Sequence, residues 1–93
     1  MSEWDEKKRL SNFAAHGVDF RSLDALHWDD AVIFADLRKD YGEKRMIAMV
    51  KLGRRLHVIV FVERKGERRF ISARKANSRE IAYYEEQTRP SQR

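Results

Sequence analysis

The residue types best suited to chemistry in this chain gather at one junction. In "FISARKANSREIAYYEEQ", residues 70–87, an apolar, strand-like run ends in Ser72, Arg74 and Lys75. Asn77 then opens a helix carrying Arg79, Glu80, Tyr83 and Tyr84. The first turn of a helix presents unsatisfied N–H groups and attracts anions. Two cations beside such a turn form a cradle suited to a phosphate.

Other chemistries are excluded by composition. There is no cysteine, which removes disulfides, thiolate nucleophiles and cysteine–zinc sites. His16, His27 and His57 are far apart in sequence and make a weak case for a metal. The simplest expectation is a cytoplasmic protein without a cofactor. The N-terminal "MSEWDEKKRL" lacks the basic-then-apolar order of a signal peptide. No apolar run approaches the roughly 20 residues of a membrane helix.

Charge is distributed unevenly. Residues 1–42 hold six Lys/Arg against nine Asp/Glu, whereas residues 43–93 hold fourteen against six. A basic half is the electrostatic footprint of a polyanion partner, because Lys and Arg release counterions condensed on its phosphates. Basic character also serves solubility, so charge alone does not decide between the two.

The elements that must position these residues follow from periodicity and turn chemistry. Asp5 caps a helix over "EKKRLSNFAAH", with Leu10, Phe13 and Ala14 on one face and Gly17 at its end. Asp19 caps a second helix, "FRSLDALHW", with Val18 and Leu23 spaced as a hydrophobic staple. "AVIFADL" reads as a short strand, "RKDYG" as a loop, and "EKRMIAMVKL", "RRLHVIVFVER" and "RRFISAR" as longer strands. Asn77 and Glu80 have capping-box spacing, and Pro90 stops the last helix. The expected class is α+β: two N-terminal helices on a four-stranded antiparallel sheet, with a C-terminal helix. Residues 1–88 read as a single domain and residues 89–93 as a flexible tail.

Two-residue turns at Gly53–Arg54 and Lys65–Gly66 pair Val50 with His57, Phe61 with Phe70, Ile59 with Ser72 and His57 with Arg74. One face then holds Ile47, Met49, Leu56, Val58, Val60, Ile71 and Ala73, suited to packing under helices. The other mixes Phe61, Phe70, His57, Ser72 and Arg74, which suggests a ligand side or a second core beneath the C-terminal helix. One extra residue in a turn would reverse this parity.

At this point the residues resemble a known family. "WDEKKRLSNFAAHGVDF" is similar to the opening signature of the BrnT toxins: Trp-Asp, a Lys, an Asn, then His-Gly-Val and Phe. "GRRLHVIVFVERKGERRFISARKANSREIAYYE" resembles that family's Arg-x-Leu, apolar strand, Glu-Arg, Ile-Ser-Ala-Arg-Lys-Ala and Tyr-Glu. The likeness spans nearly residues 4–86. It implies a RelE-like ribonuclease fold, mRNA cleavage that inhibits growth, and neutralisation by a BrnA-type ribbon-helix-helix antitoxin. The implied complex is a heterotetramer of two toxins and two antitoxins, which meets operator DNA only through the antitoxin. One position departs: the family usually has Lys immediately before His-Gly, and this chain has Ala15.

Metal-free RNA cleavage needs a base at the 2′-hydroxyl, cations against the phosphorane and an acid for the departing 5′-oxygen. On the matching motifs, the resemblance assigns Arg64 and Arg74 to the scissile phosphate. Glu63 or His16 is the general base, and Tyr84 or Lys75 an acid or extra contact. Lys75, Arg69, Tyr83 and Trp4 are the candidate RNA contacts, the aromatics by stacking an unpaired base. Each has a plainer role: His16 as a helix-end cap, Glu63 and Arg64 as solvated charges beside a turn, Trp4 as packing. The rival reading is a non-catalytic basic module that binds nucleic acid or a partner.

Overall fold

The computed structural model describes residues 2–38, 40 and 42–90. Residues 39 and 41 of the expected loop lie outside this set, as do residues 91–93 of the expected tail. The described chain forms β1 (Ser2–Trp4), α1 (Glu6–His16), two 3-10 segments (Phe20–Ala25 and Trp28–Asp30), β2 (Val32–Ala35), β3 (Arg45–Leu52), β4 (Arg55–Arg64), β5 (Glu67–Lys75) and α2 (Ser78–Thr88). No helix among the described residues is long and apolar enough to cross a membrane.

The caps act as their residue types dictate. Asp5 accepts from the Lys7 amide, and Gly17, at φ +70°, closes α1 by donating to the Phe13 carbonyl. Asn77 and Glu80 complete a reciprocal capping box at the start of α2. Lys65 and Gly66 both have positive φ, as a tight hairpin turn requires.

The fold is mixed α+β, but two expectations need correction. The sheet has five strands in the order β1-β5-β4-β3-β2, and β1 runs parallel to β5. Ser2–Trp4 is too short for a periodic pattern to announce it. The segment after Asp19 is a 3-10 helix rather than a second α-helix. Asp19 still caps it, accepting from the Arg21 amide, and Val18 and Leu23 are buried. Six residues with a 3-10 repeat are enough to swing Phe20 and Leu23 under the sheet.

The strand register holds the third correction. β3 and β4 pair with Val50 opposite His57, as expected, and with Met46 opposite Phe61. Phe61 also faces Phe70, but an extra residue in β5 then shifts the ladder, leaving Val60 opposite Ser72, Ile59 opposite Ala73 and His57 opposite Lys75. This bulge at Ile71 reverses the parity of the rest of β5. Ser72 and Arg74 therefore join Val58 and Val60 on the aliphatic face.

The roles of the faces are thereby exchanged. The face with Ala48, Val50, Ile59, Phe61, Phe70 and Ala73 is closed by Val18, Phe20, Leu23 and Leu26, with Trp4 and Trp28 packed at its margin. Burying each large side chain in this set contributes about 1.5–3 kcal/mol. Phe61 and Phe70 are core residues under the N-terminal segment, not under α2. The aliphatic face is covered only in part, where Tyr84 and Ile81 of α2 pack on Met49, Leu56 and Val58. The remainder stays open.

Helix α1 also differs from its pattern. Leu10 and Phe13 are 57% and 53% exposed, and Ala14 is exposed. The buried side chain of this helix is Asn12. Because α1 lies along the edge of β5, what it must satisfy there is a strand's open hydrogen-bonding groups, and an amide does that.

Candidate active site

The open part of the aliphatic face is a cleft of about 200 Å³, floored by Ile47, Val58 and Val60 and walled by Phe34, Arg38, Ser72, Arg74 and Glu80. Its apolar floor comes from the two central strands, and its charges come from element ends. Ser72 and Arg74 enter it because the Ile71 bulge turns them to this side. Glu80 enters from the first turn of α2, where the capping box holds it.

Arg74 and Glu80 form a two-pronged pair, Nη1 to Oε1 at 2.8 Å and Nη2 to Oε2 at 2.7 Å. Such fork-to-fork contact is the geometry in which arginine binds carboxylates and phosphates. The Asn77 amide donates to the same Oε1 at 2.9 Å. These contacts hold the Glu80 carboxyl below its ordinary value and raise Arg74, the mutual hydrogen bond being the largest cause for each.

Arg38 supplies the second guanidinium. Its Nε and Nη2 reach Asp36 at 2.8 and 2.7 Å, and the Asp36 side chain is fully buried. Arg38 is close enough to oppose the charge on Arg74. Two cations thus line one small concavity, each aimed by its own carboxylate.

Tyr83 reaches the margin of the cleft. It is 46% exposed and meets Phe34 edge to face, with ring centroids 6.4 Å apart. An exposed ring beside a phosphate-sized site can stack a base.

The other sequence candidates lie elsewhere. Arg64 pairs with Glu67, seven residues before Arg74 along β5, a separation of roughly 20 Å at strand rise. It is exposed and bound to Glu43 at 3.0 Å. Arg64 and Arg74 share no cleft, so a scission centre built on both does not form. Glu63 is exposed at that same far end, opposite Arg68 and on the closed face. Arg69 lies on the Arg74 side of β5, beyond the bulge, and contacts Glu3 at 3.5 Å.

Lys75 is exposed opposite His57. His16 ends α1 and lines a different groove, with Lys7 and Lys8. Trp4 stacks on Phe70 at 6.5 Å, as packing requires. Tyr84 is buried and donates its hydroxyl to the Asp30 carbonyl at 2.7 Å. Burial raises its pKa, so it holds its proton and acts as an anchor for α2. No cluster of three metal-ligating side chains occurs among the described residues.

Arg38 and the site role of Glu80 are absent from the sequence reading. Glu80 is visible as a capping residue, but the second bond its carboxylate makes is not. "DLR" after a short strand carries no periodic signal at all.

Comparison with known proteins agrees with this architecture. The family model described as "Ribonuclease toxin, BrnT, of type II toxin-antitoxin system" matches residues 4–80. The chain is also similar to the crystal structure of the Brucella abortus ribonuclease toxin BrnT, with a TM-score of 0.66 and 29% identity. That likeness covers 83% of this chain and 96% of the other. No curated protein sequence matches significantly.

Proposed function

Because the chain belongs to the BrnT family of ribonuclease toxins of type II toxin–antitoxin systems, we propose that it is a metal-independent endoribonuclease cleaving mRNA in the Arg74–Arg38 cleft. Membership implies an antitoxin partner. On this reading the fold is RelE-like, and cleavage in the cytoplasm arrests growth. The antitoxin is a BrnA-type ribbon-helix-helix protein that forms a heterotetramer with the toxin and contacts operator DNA on its behalf.

The observation that carries the proposal is the Arg74–Glu80 fork inside a cleft that also holds Arg38. Arg74 keeps Glu80 on one edge and turns its outer edge to the scissile phosphate, while Arg38 adds a second charge. Negative charge building on the phosphorane then meets two guanidiniums held before the reaction begins. Glu80, a carboxylate at neutral pH whose pKa the Arg74 hydrogen bond lowers further, accepts the 2′-hydroxyl proton. Solvent protonates the departing 5′-oxygen, since Tyr84 is committed to Asp30.

The test is incubation of purified protein with mRNA, with and without EDTA. Discrete fragments in both lanes, lost in Arg74→Ala, support the proposal. Intact RNA in both lanes supports a binding module without catalysis.

A further inference from the structure

A second concavity among the described residues is larger than the cleft. It is a groove of about 360 Å³ between α1 and the edge of β5, lined by Lys7, Lys8, Ser11, His16 and the bulge residue Ile71 among others. Among the described residues no carboxylate lines it. The neighbouring concavities all differ in this respect: Glu80 lines the cleft, Glu85 the pocket beneath α2, and Glu63 the pocket beside Lys44. Of these four concavities, the α1 groove is the one whose cations are not offset by acid among the described residues of its wall.

Its position is as informative as its charge. Ile71 lines this groove and Ser72 lines the cleft, and the two are consecutive residues of β5. Their Cα atoms are about 3.8 Å apart across one peptide. The bulge sends one side chain to each side, so the two concavities lie back to back over a single strand edge. Helix α1 is held at that edge by Asn12, which bonds the Ala73 backbone. The groove wall is thus rigidly referenced to the strand that carries Arg74.

We propose that the α1 groove binds the backbone phosphates of the RNA strand flanking the scissile bond, Lys7, Lys8 and His16 gripping it as it leaves the cleft over the β5 edge. The inference rests on the RNA-cleaving reading for the identity of the polyanion. Ser11, one turn beyond Lys7, adds a neutral donor to the same wall. His16 is then an RNA contact of this groove instead of the base for the cleft. Ala15 also lines the groove, and a lysine there would add one more cation to the same track.

The test uses direct binding of a fully 2′-O-methylated RNA oligonucleotide, which cannot be cleaved, at several salt concentrations. Failure of the cleavage reading therefore leaves the measurement intact. Each phosphate contact on a single strand contributes about 0.7 to the slope of log K against log salt. The Lys7→Ala/Lys8→Ala protein is expected to lose about 1.4 of that slope and to bind about 25-fold more weakly at 0.1 M salt. Ala15→Lys is expected to gain about 0.7. Both changes are on the exposed side of α1, and an unchanged thermal midpoint confirms an intact fold. Lys44→Ala, which removes an exposed cation at the other end of the sheet, serves as control. An unaltered slope in the double variant overturns the inference, as does an equal loss in Lys44→Ala. A groove occupied by the antitoxin, with oligonucleotide binding unaffected by the lysines, overturns it too.

Discussion

The side chain of Asn12 and the backbone of Ala73, 61 positions apart, exchange two hydrogen bonds of 2.8 and 2.9 Å. The carboxamide does for β5 what a neighbouring strand would do. β1 pairs with β5 only as far as Phe70, and beyond the bulge Asn12 takes over the edge. It also donates to the Val18 carbonyl at 2.9 Å, tying the start of the 3-10 segment to the sheet. Asn12→Ala would leave buried backbone groups without partners, at a cost of about 3 kcal/mol. In a domain this small that corresponds to roughly 15 °C in thermal midpoint. Asn12→Asp should be worse, because it replaces the donor facing two carbonyl oxygens with a carboxylate. Chemical denaturation of both variants measures this, and a loss below about 1 kcal/mol would show that water replaces the amide.

Glu80 closes the capping box and holds Arg74, so it couples the stability of α2 to the geometry of the cleft. Its folded-state pKa is depressed, with Arg74 as the first cause. A depressed carboxyl contributes stability that is present above its unfolded value, near 4.5, and is lost as pH falls through the folded value. Wild-type protein should therefore weaken in acid below about pH 4.5 more steeply than Glu80→Gln. At neutral pH the Gln variant should already be less stable, by about 1 kcal/mol. Urea titrations from pH 3 to 7 give both curves, and parallel curves would mean that the ion pair adds nothing.

The order of the elements was legible because its signals are local. Caps at Asp5 and Asn77, left-handed turn residues at Gly17 and Gly66, and apolar runs of strand length each occupy a few consecutive residues. The α1 face was misread because Leu10 and Phe13 satisfy helical spacing while the surface below them is a strand edge that takes an amide. β1 escaped because three residues carry no period. The bulge mattered most. A single inserted residue, with nothing at Ile71 to announce it, transferred Ser72 and Arg74 from one side of the sheet to the other. The place of Arg74 beside the start of α2 was legible from the sequence of that junction, whereas its neighbours in the cleft depend on that parity.

Among the described residues lining the cleft none is a histidine. If Glu80 accepts the 2′-hydroxyl proton, its depressed pKa keeps it ionised from pH 6 to 8, and the rate there should be nearly flat. An imidazole base would give a rate falling with acid between about pH 7 and 6. His16→Ala should accordingly preserve the shape of the pH profile with saturating RNA, its effect being confined to KM. Single-turnover cleavage at several pH values decides the matter. A sloping limb near neutrality that disappears in His16→Ala would return the base to α1.

Arg64 and Arg74 carry the same group, and their surroundings predict opposite consequences of losing it. Arg64 is exposed, bound to Glu43 and distant from the cleft along β5. Surface pairs of this kind contribute about 0–1 kcal/mol. Arg64→Ala should fold, cleave RNA within about twofold of wild type, and lose little stability. On the proposed reading, Arg74→Ala removes a donor to the charge of the transition state, and such losses lower the rate by about 10²–10³. Arg74→Lys should recover little of it, because an ammonium cannot hold Glu80 with one edge and a phosphate with the other. Initial rates of the three proteins on one mRNA, with growth after induction as the cellular measure, test the assignment. Equal losses at positions 64 and 74 would mean that the RNA path runs the length of β5 and that the cleft is only part of it.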